Sequence, residues 1–494
     1  MAAFEDAEIS RRDVLRRLGF GPLDAESDPD LSARFVRTED FDEFLAPLNV
    51  LVLGPKGTGK SALFELFTKY EGTARAFAPH ALKDVIITAA TGFSDLTEVD
   101  TGSIESLRQE DGYSHESLWR LYIALRAALA VSNLENLPSG PLREFSKAVG
   151  GKRDWRLAPI LKQLWRALIS DKLPTPRITV RGVEIDFSVG GQDLDVTAML
   201  QEVNRALDIE GKHLWVLFDK IDELFPTDPN ERLRALEGLV LTAMEVRRTF
   251  PRIQPRIFLR TDLWRHLHFT NKSHLEDKKV DLAWSAPQMA RLLLKRAVTD
   301  EAVWNLAAEQ EEQLLEVVSV EDLSDEQVAT ALTSIFPSSV YAGVNEASFV
   351  SWLVPRITDG LGTVLPREAI YLANQARAAQ IATGGPATET LLSGKSVLTA
   401  YREMSEMRVR SYLAEFPDVS KHILRFEGLT TSTFTRQELN AKFDGLEPSG
   451  DDLLRELCEI GLLKPGGRDI ATSESFDVPQ LYRQGLGLVI RGRP

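Results

Sequence analysis

One cysteine, Cys458, stands in a chain of 494 residues. An internal disulfide is therefore excluded, and no cysteine–histidine spacing of a zinc site is present. Such poverty in thiols suits a reducing compartment, and a cytoplasmic location is expected. No apolar run approaches the ~20 residues that span a bilayer, so no membrane partner is expected. The N-terminal stretch MAAFEDAEIS lacks a basic region followed by an apolar one, which argues against a secretory signal. Positive charge is in deficit: 58 Lys and Arg against 73 Asp and Glu leave a net charge of −15. The whole molecule is then no general polyanion binder, and any nucleic-acid contact needs a local basic patch. Internal repeats, low-complexity tracts and nuclease or protease signatures are absent. What remains is an ordinary globular composition, too long for a single core, so two to four domains are expected.

The strongest pattern is NVLVLGPKGTGKSALFELF, residues 49–67. Val50 to Leu53 form a short apolar run that suits a strand buried on both faces of a parallel sheet. Gly54, Pro55, Lys56, Gly57, Thr58, Gly59, Lys60 and Ser61 then match the phosphate-loop spacing, and Ala62 continues into the helix. Glycines let successive N–H groups turn inward around an anion, and the helix N-terminus adds favourable dipole and donors. In this pattern Lys60 reaches the β- and γ-phosphates of ATP, and the Ser61 hydroxyl takes a position on Mg²⁺.

A second buried strand is expected at Asp84 to Ala90, and helices at His115 to Val131 and Arg153 to Ser170, with Trp119, Trp155 and Trp165 among their apolar residues. Arg177 to Val189 alternates and contains Arg181-Gly182, as a hairpin does. After a helix at Val196 to Leu207, the run HLWVLF at 213–218 gives a third strand that ends in Asp219, Lys220, Ile221, Asp222 and Glu223. Acids at the carboxyl end of a parallel strand sit where open α/β sheets bind ligands. Asp219 is assigned to the metal, and Asp222 or Glu223, with Glu223 preferred, to orienting the attacking water. A fourth strand, Pro255 to Leu259, ends in Arg260. If that strand lies between the other two motif strands, its tip faces the γ-phosphate. Arg260 or Thr261 then senses phosphate by hydrogen bonding, or Arg260 closes a salt bridge at the strand end.

From residue 284 the pattern is helical: Trp284 to Val298, Glu309 to Val318, Asp325 to Phe336, Ala347 to Ile357, Pro366 to Ile381 and Val397 to Phe416. Pro366 opens its helix, and Arg367 beside it is a candidate to reach the nucleotide from a lid. The last 80 residues read as three helices (421–426, 436–443, 450–460) and then strands at Leu462-Leu463 and Leu486 to Ile490, the order of a winged helix. Residues 416–494 carry 10 Lys and Arg against 12 Asp and Glu, and the helix in the recognition position, GDDLLRELCEI, is acidic. A protein contact is favoured for this module. Nucleic acid is the alternative, through Arg468, Arg483, Arg491 and Arg493.

The expected fold class is α/β: a P-loop parallel sheet with helices on both faces, followed by a helical lid and a winged-helix-like end. The expected domains are 1–45, an N-terminal segment packing on the core; 46–283, the core with an insertion at about 91–195; 284–412, the lid; and 413–494. Taken together, GPKGTGKS at 54–61, LFDKIDEL at 217–224, FLRTD at 258–262, the Pro366-Arg367 helix start and VPQLYRQGL at 478–486 resemble the STAND and AAA+ side of the P-loop ATPases, in particular prokaryotic ATPases associated with antiphage defence. The resemblance implies ATP hydrolysis coupled to a conformational switch or to assembly, with ATP or ADP bound and a protein partner or further copies of the chain. Lys220 departs from the acid or small residue that often follows the first acid in that group, which bears on turnover. Two other readings stay open: a DNA-associated loader, and a scaffold that binds ATP and barely hydrolyses it.

Overall fold

The computed structural model describes residues 10–91, 114–140, 142–143, 145–146, 177–180, 183–186, 196–223, 228–317, 319–341 and 347–488, without the side chains of 91, 177–186 and 222. The expected helix Arg153 to Ser170, the Arg181-Gly182 turn, Leu224, and Arg491 and Arg493 lie outside the described residues. The chain forms two compact units: Met1–Thr38 with Pro55–Ala62 and Ala283–Pro494, and Glu39–Gly54 with Leu63–Leu282. Among the described residues, no helix is long and apolar enough to cross a membrane.

The second unit is built on five parallel strands. They are β1 (Leu51–Gly54), β2 (Val85–Thr91), β5 (His213–Asp219), β6 (Ile253–Arg260) and β7 (Lys279–Asp281), in the order β2-β5-β6-β1-β7. The hairpin strands β3 (Arg177–Val180) and β4 (Val183–Asp186) pair only with each other. Strand periodicity sorts the side chains between two faces. Leu51, Leu53, Leu214, Val216, Phe218, Ile257 and Leu259 join one core with the helices His115–Val131, Val196–Ile209 and Pro229–Thr249. Trp215 and Phe258 point the other way, into an aromatic cluster with Phe44 from the helix Glu39–Leu45 and Phe64 and Phe67 from Lys60–Thr68. Helices thus cover both faces, as the continuous apolar strands require. Within the aromatic cluster Arg256 is 1% exposed. Its guanidinium lies 3.8 Å from the Trp215 ring centre and bonds to the carbonyls of Phe44 and Ala46.

In the first unit, the N-terminal stretch is held by a buried ionic cluster. Asp28 is fully buried and pairs with Arg34 at 2.6 Å and Arg296 at 3.3 Å. Arg296 comes from the helix Ala286–Ala297, which a Ser285–Gln288 capping box opens. The long helices Pro366–Ala382 and Gly394–Glu415 pack on each other in the same core. One expected helix is displaced. Instead of Glu309 to Val318, an α-helix runs over Glu301–Ala308 from an Asp300 cap, and Glu312–Leu315 is a single 3₁₀ turn.

The C-terminal module has the helices Ser420–Leu424, Arg436–Lys442 and Gly450–Glu459 and a three-stranded antiparallel sheet, the layout of a winged helix. Its strands are β8 (Thr433–Thr435), β9 (Lys464–Pro465) and β10 (Ser475–Asp477), in the order β8-β10-β9. The strands lie at other positions than the expected Leu462-Leu463 and Leu486 to Ile490. Leu462, Leu463 and Leu486 are buried side chains outside the strands, and 489–490 lie outside the described residues.

Candidate functional site

The phosphate loop leaves β1 at Gly54, which pairs in register with Arg260 at the end of β6. Gly57 has φ +91° and Gly59 φ +101°, values that L side chains rarely adopt, so glycine is required at both. Inside the loop the Thr58 hydroxyl and the Lys60 amine both donate to the Pro55 carbonyl, each at 2.9 Å. Lys60, Ser61 and Ala62 begin the helix Lys60–Thr68, so the loop runs directly into a helix N-terminus. Lys56 is exposed and ion-pairs with Glu415 at 3.4 Å. The Trp284 indole donates to the Thr58 carbonyl at 2.8 Å. Arg367, half-buried in the first turn of its helix, donates its backbone N–H to the Gly57 carbonyl at 3.4 Å.

In the sheet unit, β6 lies between β5 and β1, the position the sequence reading required of the Arg260 strand. Asp219 ends β5 and is 5% exposed. The next residue, Lys220, has φ +58°, a left-handed conformation costly for a residue with a Cβ. That turn leads into the 3₁₀ turn Ile221–Glu223, where Ile221 is buried and Glu223 exposed. The side chain of Asp222 lies outside the described residues. Arg260 is bound in a two-pronged ion pair to Asp262, with Nε to Oδ1 at 3.0 Å and Nη2 to Oδ2 at 2.7 Å. Of the two roles open to it, the salt bridge is therefore present. Burial raises the Asp262 carboxyl, and the Arg260 guanidinium and backbone donors outweigh it, holding the group below the ordinary range.

Sequence reasoning missed Trp284, Glu415 and Glu368. Glu368 is 1% exposed and pairs with buried Arg408 at 2.9 Å. No local pattern marks these residues, because Trp284 and Glu415 meet their partners 226 and 359 positions away and Glu368 meets Arg408 on a different helix. Among the described residues no group of three or more His, Cys, Asp and Glu has the arrangement of a metal cluster.

No family model matches the chain. No curated protein matches it either. Among solved structures it is similar to the ORC1 protein of Aeropyrum pernix in complex with DNA, at 14% identity and TM-score 0.34, covering 96% of each chain. It is also similar to the Aeropyrum pernix ORC2 protein in ADPNP–ADP complexes, at 13% identity and TM-score 0.27, covering 91% of each chain. Cdc6p from Pyrobaculum aerophilum follows at 12% identity and TM-score 0.27, with 89% of this chain and 85% of that one covered. At such identities and scores the α/β architecture rests on the chain's own strand order.

Proposed function

We propose that the chain is an ATP-binding and hydrolysing switch, its phosphate loop holding the nucleotide and its C-terminal module responding. The observation that carries this is the loop itself: two left-handed glycines and a lysine at the end of a buried parallel strand, opening a helix. In this reading the N–H groups of Gly57 to Ser61 cradle the phosphates, and Lys60 exchanges the Pro55 carbonyl for phosphate oxygen. Ser61 and Asp219 would hold Mg²⁺, which when bound neutralises charge on the phosphates. Glu223, or Asp222, orients the attacking water, Arg260 reads the γ-phosphate, and Arg367 approaches the loop from its helix. Turnover is slow, because Lys220 brings a cation next to the metal-assigned acid in a strained turn.

The test is ATP binding by calorimetry and phosphate release for wild type, Lys60→Ala and Glu223→Gln. Lys60→Ala should lose binding, and Glu223→Gln should bind ATP while releasing little phosphate. Equal turnover in all three would sink the site assignment, and a single burst with ATP retained would favour a scaffold.

The C-terminal module suits a protein partner, in keeping with the defence-type resemblance. Its recognition-position helix exposes Asp451 and Asp452, and Arg436 is engaged by Asp451 and by the carbonyls of Ile470, Ala471 and Ser473. Duplex binding that weakens steeply as salt rises would instead make the chain a DNA-associated loader.

A further inference from the structure

The carboxylate of Glu368 is a buried charge with one oxygen spoken for and one not. Oε1 pairs with Arg408, whereas Oε2 is buried without a hydrogen-bond partner. That second oxygen borders the phosphate loop: a Cβ added at Gly57 would lie 3.4 Å from it and 3.2 Å from the Cβ of Arg367. The start of the helix Pro366–Ala382 therefore sits close against the Gly57 turn, where an added Cβ would make its neighbours give by a few tenths of an ångström.

On its other side the pair leads to the C-terminal module. Arg408 lies 4.6 Å from the Tyr412 ring centre, one turn along the helix Gly394–Glu415, with Nη2 3.4 Å from the phenol oxygen. The Tyr412 hydroxyl donates to the carbonyl of Ile460 at 2.6 Å, where the helix Gly450–Glu459 ends. The adjoining Gly461 carbonyl accepts from the N–H of Gly360 at 2.7 Å, and a Cβ on Gly360 would clash with the Leu463 carbonyl. The Arg408–Tyr412 contact is buried, and the Tyr412–Ile460 hydrogen bond is short and part-buried.

A buried ion pair contributes little stability over apolar packing, while an unmatched buried carboxylate oxygen costs free energy. Both features have a use if the arrangement responds to charge arriving at the loop. We propose that Glu368 is a positioning residue for the phosphate loop and that, through Arg408 and Tyr412, it ties the Gly57 turn to the C-terminal module. The inference rests on the nucleotide reading of the loop. Phosphate held by the loop N–H groups brings negative charge toward Oε2, drives the carboxylate onto Arg408, and shifts the guanidinium against Tyr412. The Tyr412–Ile460 hydrogen bond carries that shift into the module.

The experiment is amide hydrogen exchange on the full chain with and without Mg·ATPγS, with the nucleotide Kd measured separately by calorimetry. In wild type, nucleotide should change exchange at Gly360, Leu462 and Leu463 by about fivefold or more. Tyr412→Phe should bind nucleotide with the wild-type Kd yet lose that change, and Glu368→Gln should lose it too. A merely structural role would alter exchange equally with and without nucleotide. The inference is overturned if either variant retains the nucleotide-induced change, or if wild type binds nucleotide and shows none. Failure of wild type to bind would appear in the calorimetry alone and would remove the functional reading together with this one. If Glu368→Gln does not fold, Tyr412→Phe decides.

Discussion

The indole N–H of Trp284 donates to the carbonyl of Thr58 across 226 positions of sequence. A side chain from the start of the helical region thereby fixes the backbone of the phosphate loop. Trp284→Phe keeps the ring but removes the donor, leaving the carbonyl of a nearly fully buried residue without this partner. The expected result is ATP binding weakened about tenfold, equivalent to about 1.4 kcal/mol, read by titration calorimetry.

Arg260 and Asp262 separate two roles for one ion pair. Arg260→Ala should lower kcat for ATP by about tenfold or more if the guanidinium stabilises phosphate charge. Asp262→Asn removes the partner and keeps the guanidinium, so it should retain most turnover. Equal loss in both variants would leave Arg260 as a strand-end salt bridge.

The Asp28 cluster makes a stability prediction. Burial lowers the Arg296 guanidinium to about 10 even with Asp28 opposing the shift. Asp28→Ala would leave Arg34 and Arg296 without their shared carboxylate and should destabilise the unit by about 3 to 5 kcal/mol. Urea unfolding followed by tryptophan fluorescence reads the effect, and a midpoint equal to wild type would refute it.

Asp359 supplies a pH dependence. Burial pushes its carboxyl from 3.8 up to about 6, against the N–H donors of Thr363 and Leu361 and the Arg408 guanidinium, with Glu368 adding to the rise. Because the folded pKa is the higher one, the folded state binds the extra proton. The stabilisation is full below about 3.8 and is lost as pH rises through about 6. Wild type measured against Asp359→Asn should therefore lose on the order of 3 kcal/mol between pH 4 and pH 7. A difference independent of pH would show that Asp359 titrates normally.

The long apolar strands and the loop were legible because each carries its own signal. β1, β5 and β6 are runs of buried residues, and their glycines and acids fall at the carboxyl ends. β7 was not legible, since KVD has one apolar residue between two charges and is a strand only because β1 offers it an edge. β8 and the wing strands failed for the same reason, being two or three residues held by pairing. The helix expected at Glu309 was displaced because Asp300 caps an earlier start, and a cap outweighs a weak apolar period. At the site, the identity of the loop residues was readable and their clasp was not. Trp284, Glu368 and Glu415 reach the loop only through tertiary packing, which no local spacing records.

The wing strand β9 has a consequence for what the C-terminal module can recognise. It lies at the sheet's edge, spans two residues, and one of them is Pro465, which has no N–H to offer. An extended peptide cannot zip onto this border by backbone pairing, and filament growth through it is blocked. A visitor to that side must be told apart by its side chains.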